Sequence, residues 1–160
     1  PIYLHTELGI PWSDLGWMFS VMLLPYVLIQ YPAGILADRF LGDKEIMFTG
    51  FVLAGISFAA LGLFTASTPL FVIAGTLFVS RVGSAFVEGM TEAHFFRRMS
   101  EKDVNAIGIF RGTWPFTELV APIIGSLILV FGNFELFFLL TGGFTALAGG
   151  IATLCIKDFR

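Results

Sequence analysis

Long uncharged runs alternate with short polar joins along the whole chain. Leu15 to Ala37 is 23 residues without a charge, Ile46 to Ser80 is 35, and Leu136 to Ile156 is 21. An α-helix that crosses a bilayer needs about 20 mostly apolar residues. The run from Ile46 is too long for one crossing; Ser67-Thr68-Pro69 divides it, and Pro69 suits the first turn of a new helix. The pattern predicts five transmembrane helices, at about 14–37, 46–66, 69–93, 104–130 and 135–156. The third takes in Arg81, Glu88 and Glu92, and the fourth Arg111 and Glu118. Ser13 is expected to cap the first helix, with Trp12 and Trp17 near an interface. No ten-residue alternating segments suggest an outer-membrane barrel. The fold class expected is an all-α membrane protein, with residues 1–160 forming a single transmembrane domain.

Composition agrees with this and narrows the function. The chain is 56% hydrophobic and 13% charged, against roughly a quarter charged in soluble domains. That excludes an ordinary cytosolic enzyme and a disordered chain, and the single Cys155 allows no internal disulfide. A net charge of −3 gives no support to nucleic-acid binding. No basic leader opens the chain, and a first residue of Pro1 rather than Met suggests part of a longer protein.

The basic residues fix an orientation. Arg39 and Lys44 fall in the first join, Arg97, Arg98 and Lys102 in the third, and Lys157 and Arg160 in the tail. The N-terminal segment and the second and fourth joins carry none. Basic loops stay cytoplasmic, so the expected topology is N-out and C-in, multi-pass, in the plasma (inner) membrane. Adding or dropping a helix would scramble this split.

The first join reads Gly34-Ile35-Leu36-Ala37-Asp38-Arg39-Phe40-Leu41-Gly42-Asp43-Lys44. A glycine, then Leu-Ala-Asp-Arg, then glycine and a basic residue resembles the loop signature of the major facilitator superfamily. Tyr3-Leu4, Leu8-Gly9 and Pro32-Ala33-Gly34 are similar to the stretch that leads into that loop, and Ala121-Pro122 with Gly125 to a downstream glycine-proline motif. Leu41 stands as an added residue, and Asp43 where a basic residue is usual. The resemblance implies two six-helix halves around a central path. These five helices would be the second to sixth of one half, and the short tail after the last helix points to helices eight to twelve. The missing N-terminal half of the same transporter is then an expected partner, beside the lipid bilayer and a small-molecule substrate. The cytoplasmic loop motif comprises Gly34, Asp38, Arg39, Gly42 and Lys44. Asp38 is expected to cap the fourth helix near Asp103 or to pair with Arg97 or Arg98, as a latch that breaks when helices rock. The blander alternative is that the two glycines permit a tight turn and the charges mark the cytoplasmic face.

Charges inside the spans are costly, about 2.5–3.5 kcal/mol each at mid-bilayer. Arg81, Glu88 and Glu92 share one helix face, and Arg111 and Glu118 are spaced like Arg81 and Glu88. In an antiparallel pair of helices Arg81 can meet Glu118 while Glu88 meets Arg111, so two buried ion pairs are expected. They serve either as a substrate or proton path or as structural glue. Glu88, Glu92 and His94 are too poorly arranged to suggest a metal site, and no cofactor is expected. Gly108 with Gly112, and Gly142 with Ala146 and Gly150, are small-residue pairs that let helices approach. No nucleophile–base constellation or phosphate loop supports an enzyme. The function expected is transport of a small solute by alternating access, as part of a longer secondary transporter and not by this piece alone. The alternative is a non-transporting five-helix structural or partner-binding membrane protein.

Overall fold

A computed structural model describes residues 1–37, 42–100 and 103–156. The described residues form a short N-terminal helix and five long helical spans. The elements are α1 (Ile2–Thr6), α2 (Trp12–Leu28), α3 (Gln30–Leu36), α4 (Asp43–Leu61), α5 (Leu70–Phe96), α6 (Val104–Phe131) and α7 (Phe134–Cys155). By length and apolarity, Trp12–Leu36, α4, α5, α6 and α7 can each cross a membrane. This is the expected five-span all-α architecture. Its apolar exterior fits lipid, since large side chains such as Leu23, Val27, Phe71, Ile109 and Phe144 lie exposed.

Local chemistry explains most of the boundaries. The first span is broken at Ile29, because Pro32 has no N–H for the Leu28 carbonyl one turn earlier. It starts at Trp12 with Pro11 at the N-cap, so Ser13 lies inside the helix rather than capping it. Gly42 precedes α4 with φ +96°, a left-handed conformation that glycine adopts without steric cost. Asn133 caps α7 by accepting from the Leu136 N–H at 2.8 Å.

α1 lies outside the sequence expectation. Tyr3, Leu4 and Leu8 are buried with Leu15, Met18, Leu61, Ile73 and Phe138 in the core at one end of the bundle. The Tyr3 hydroxyl donates at 2.9 Å to the Leu61 carbonyl at the end of α4, which also accepts from the Phe64 N–H at 3.3 Å. His5 places Nδ1 2.9 Å from the Ile10 carbonyl and its ring 4.4 Å from that of Trp12.

α4 is the middle of the bundle, packed closely against α5 on one side and α7 on the other; α2 and α3 lie on α5. Both of its seams are built from small residues. A Cβ on Gly83 of α5 would meet the Ala54 nitrogen at 2.5 Å and the Gly50 carbonyl at 2.7 Å. On the other side, a Cβ on Gly55 would sit 2.6 Å from the Ala146 nitrogen and the Gly142 carbonyl, and one on Gly142 would meet the Ala59 backbone. Backbones this close gain dispersion contacts where lipid offers no hydrophobic drive. The Gly142–Ala146 pair thus packs as expected. Gly108 and Gly112 do not, for nothing lies near either. Their helix, α6, buries no residue and touches chiefly α7.

Candidate functional site

α5 gathers polar residues that an apolar span has little reason to keep. Arg81, Ser84, Glu88 and Glu92 recur at three- and four-residue steps and so share a face. Two clefts open along it. One, of about 310 Å³, is bordered by Ser84, Glu88, Thr91 and Glu92 of α5 and by Phe110, Thr113 and Trp114 of α6. Tyr26, Phe51 and Thr145 bring α2, α4 and α7 to its walls. The other, of about 230 Å³, is bordered by Arg81 with Ser80 and Thr141. The clefts share Ala54, Ser84 and Thr145, so they adjoin. Arg81 stands at one end and Glu88 at the other, about 10.5 Å apart along the helix axis. A larger hollow of about 700 Å³ lies between the loops at the far end, beside Glu7 and Glu135. It borders helix ends rather than the middle of the spans, so the α5 clefts are the better candidate site.

The two expected ion pairs are not formed. Arg81, Arg111 and Glu118 are exposed, and among the described residues no ion pair joins them to each other or to Glu88. The register is the reason. Phe95 stacks on Phe110 with ring centroids 4.0 Å apart, where α5 ends and α6 begins. In antiparallel helices that sets Glu88 level with Thr117, about six positions beyond Arg111. Arg111 and Glu118 border neither cleft. Glu88 does, half-buried, with no hydrogen bond or ion pair among the described residues.

At the end that carries the basic residues, a different cluster has formed. Asp43, the first residue of α4, is buried, and its Oδ2 lies 3.2 Å from Arg97 Nη1 and 3.5 Å from His94 Nδ1. The other oxygen, Oδ1, is buried without a hydrogen-bond partner. The N-terminus of α4 favours the carboxylate, and the C-terminus of α5 favours the cations. The next residue, Lys44, turns the other way and donates from Nζ to the Leu154 carbonyl at 3.0 Å, in the last turn of α7. Adjacent residues therefore tie α4 to both of its neighbours. Asp38 and Arg39 of the loop motif lie outside the described residues. Gly34 sits within α3 with nothing close to it, whereas Gly42 holds the turn. Asp43, His94 and Arg97 are the grouping that the sequence did not disclose. The signal was present, since Asp43 stood where a basic residue was expected.

Asp103, just ahead of α6, accepts from the Ser100 N–H at 2.9 Å and from its hydroxyl at 2.8 Å. These bonds hold its carboxyl below the ordinary range, the backbone bond most. A depressed carboxylate adds stability above the unfolded pKa of about 3.9, lost as pH falls through the lower folded value. Asp103→Asn should therefore lower the thermal midpoint slightly at pH 7 and leave it unchanged in acid below that folded value. A midpoint equal to the parent's at pH 7 would remove any role for these bonds.

A family model described as the Major Facilitator Superfamily matches residues 1–158, nearly the whole chain. The chain matches no curated protein and no solved structure.

Proposed function

The chain belongs to the major facilitator superfamily, a family of transporters, and on that premise we propose that it forms part of a secondary transporter moving a small solute by alternating access. The observation that carries this reading is the pair of adjoining clefts along α5, which put Arg81 and Glu88 beside open space in the middle of the spans. Polar groups at that depth are expensive in lipid and are kept for packing or function. Here Glu88 has no hydrogen-bond or ion-pair partner among the described residues that would account for it.

In this reading the end with Asp43, Lys44 and Arg97 faces the cytoplasm of a plasma (inner) membrane, because the basic joins lie there. The chain supplies five helices of one half, and the remaining helices come from the rest of a longer protein. α6 supports this, since Arg111 and Glu118 would be costly against lipid and α6 buries nothing within this chain. The Asp43–Arg97 tie serves as the cytoplasmic latch that the loop motif suggests for Asp38. The half alone encloses no path and does not transport.

Cysteine labelling tests the reading. In the full-length protein with Cys155→Ser, Ser84→Cys and Thr117→Cys are treated with a membrane-impermeant thiol reagent from each side. Ser84→Cys is expected to react, from different sides under different substrate conditions. No reaction at either position, from either side in every condition, would make the five helices a structural unit. The reading frame around these residues gives a second check, since about seven further apolar spans are expected outside them.

A further inference from the structure

We propose that the cleft at Glu88 binds a small organic cation, a quaternary or protonated amine carried on one aromatic or apolar group. The proposal rests on the transporter reading for its biological sense, but the binding itself does not. Four features of the cleft point one way. Its charged residues are both carboxylates, Glu88 and Glu92, one helical turn apart. Like charges so placed repel each other, and neither meets a hydrogen bond or a cation among the described residues. Among the described residues no lysine or arginine borders the cleft; Arg81 opens on the neighbouring one, beyond Ser84. An anion would therefore meet repulsion with nothing to offset it.

The walls supply the other half of the recognition. Trp114 and Phe110 of α6, Phe51 of α4 and Tyr26 of α2 surround the acidic face. A cation over such rings gains from their negative faces, and a desolvated site strengthens the effect. Their apolar bodies suit an aromatic or aliphatic group, and the hydroxyls of Ser84, Thr113 and Thr145 already donate to carbonyls of their own helices. Size sets the rest. About 310 Å³ lies at the lower end of ligand pockets, enough for one ring and a compact cationic head. Arg81, about 10.5 Å along the helix from Glu88, repels the head from the other cleft and orients the ligand with its charge toward Glu88 and Glu92.

The test uses the purified full-length protein in nanodiscs and tritiated benzyltrimethylammonium, whose charge is permanent. Saturable binding is expected, with phenylmethanesulfonate, an anion of similar size, and benzyl alcohol competing at least about 10-fold less well. Glu88→Gln should weaken binding about 10-fold, Glu88→Asp no more than about 3-fold, and Trp114→Leu several-fold. Anion binding as tight as the cation's, no saturable cation binding, or affinity unchanged in Glu88→Gln would each overturn the proposal. The comparison of cation with anion needs no variant, so it stands even if a substitution unfolds the protein. Failure here, with Ser84→Cys still reacting from alternate sides, rejects the cation and keeps the transporter. Binding here, with Ser84→Cys never reacting, rejects transport and keeps the site.

Discussion

Valine at Gly55 or Gly142 should cost the protein its folded bundle, while valine at the neighbouring Gly143 should be tolerated. A Cβ at Gly55 would stand 2.6 Å from the Ala146 nitrogen and the Gly142 carbonyl, and one at Gly142 would press on the Ala59 backbone. These are main-chain atoms within helices, so no side chain can swing aside to make room. Overpacking in cores usually costs about 1–3 kcal/mol; against backbone on a seam this tight the upper end applies. At about 2–4 °C per kcal/mol for a chain of this size, the midpoint should fall by about 10 °C, or the protein should not accumulate in the membrane. Gly143 has nothing within 4 Å of its Cβ position, on the same helix and one residue away. It controls for glycine's helix propensity and for the added apolar bulk. Thermal unfolding in detergent, followed by tryptophan fluorescence, reads the difference. Equal midpoints for the Gly142 and Gly143 variants would mean that α4 and α7 do not pack through this seam.

That seam also shows where the sequence is informative. Span number, span limits to within a few residues and the odd placement of charges were all legible, because each rests on one residue's own solubility in lipid. Gly142 and Ala146 were legible as a packing pair from their spacing. Gly55, Ala59 and Gly83, which complete the two seams, carry the same small-residue signal but lie in runs whose apolarity hides it. What failed was pairing. Equal seven-residue spacing on α5 and α6 suggested that Arg81 would meet Glu118 and Glu88 would meet Arg111. Equal spacing fixes only that both pairs could match at once. It fixes neither the offset between the helices nor whether they lie flush. The stacking of Phe95 on Phe110 sets the offset, and α6 leans on α7 instead. The carboxylate that remains in open space, Glu88, was named for an ion pair and is found lining a cleft. The α1 helix went unseen because five residues of helix give no periodic signal; its place depends on the Tyr3 hydroxyl reaching Leu61 across 58 positions of sequence.

Asp43→Ala should loosen the basic end of the bundle more than Arg97→Ala, and the two losses should not add. Asp43 is 6% exposed and touches both His94 and Arg97, whereas Arg97 is 47% exposed. Removing one partner of a fully buried pair costs about 3–5 kcal/mol. Solvent around Arg97 screens this one, so about 1–2 kcal/mol is expected for Asp43→Ala and about 1 kcal/mol for Arg97→Ala. The double variant should be about 1 kcal/mol better than the sum of the singles, since one interaction cannot be lost twice. Asp43→Asn separates charge from shape: it keeps an oxygen for Arg97 and gives up the favourable charge at the start of α4, so it should fall between parent and Asp43→Ala. Lys44 supplies a contrast from the adjacent position. It ties α4 to α7 through an exposed bond to the Leu154 carbonyl, and Lys44→Met should cost no more than about 0.5 kcal/mol. In the full-length protein the same change at Asp43 has a second readout. If the tie is a latch, Asp43→Ala should raise labelling of Ser84→Cys from the cytoplasmic side, whereas Lys44→Met should leave it alone. Additive losses for Asp43→Ala and Arg97→Ala, with labelling unchanged, would make the two charges independent and end the cluster's claim to gate the path.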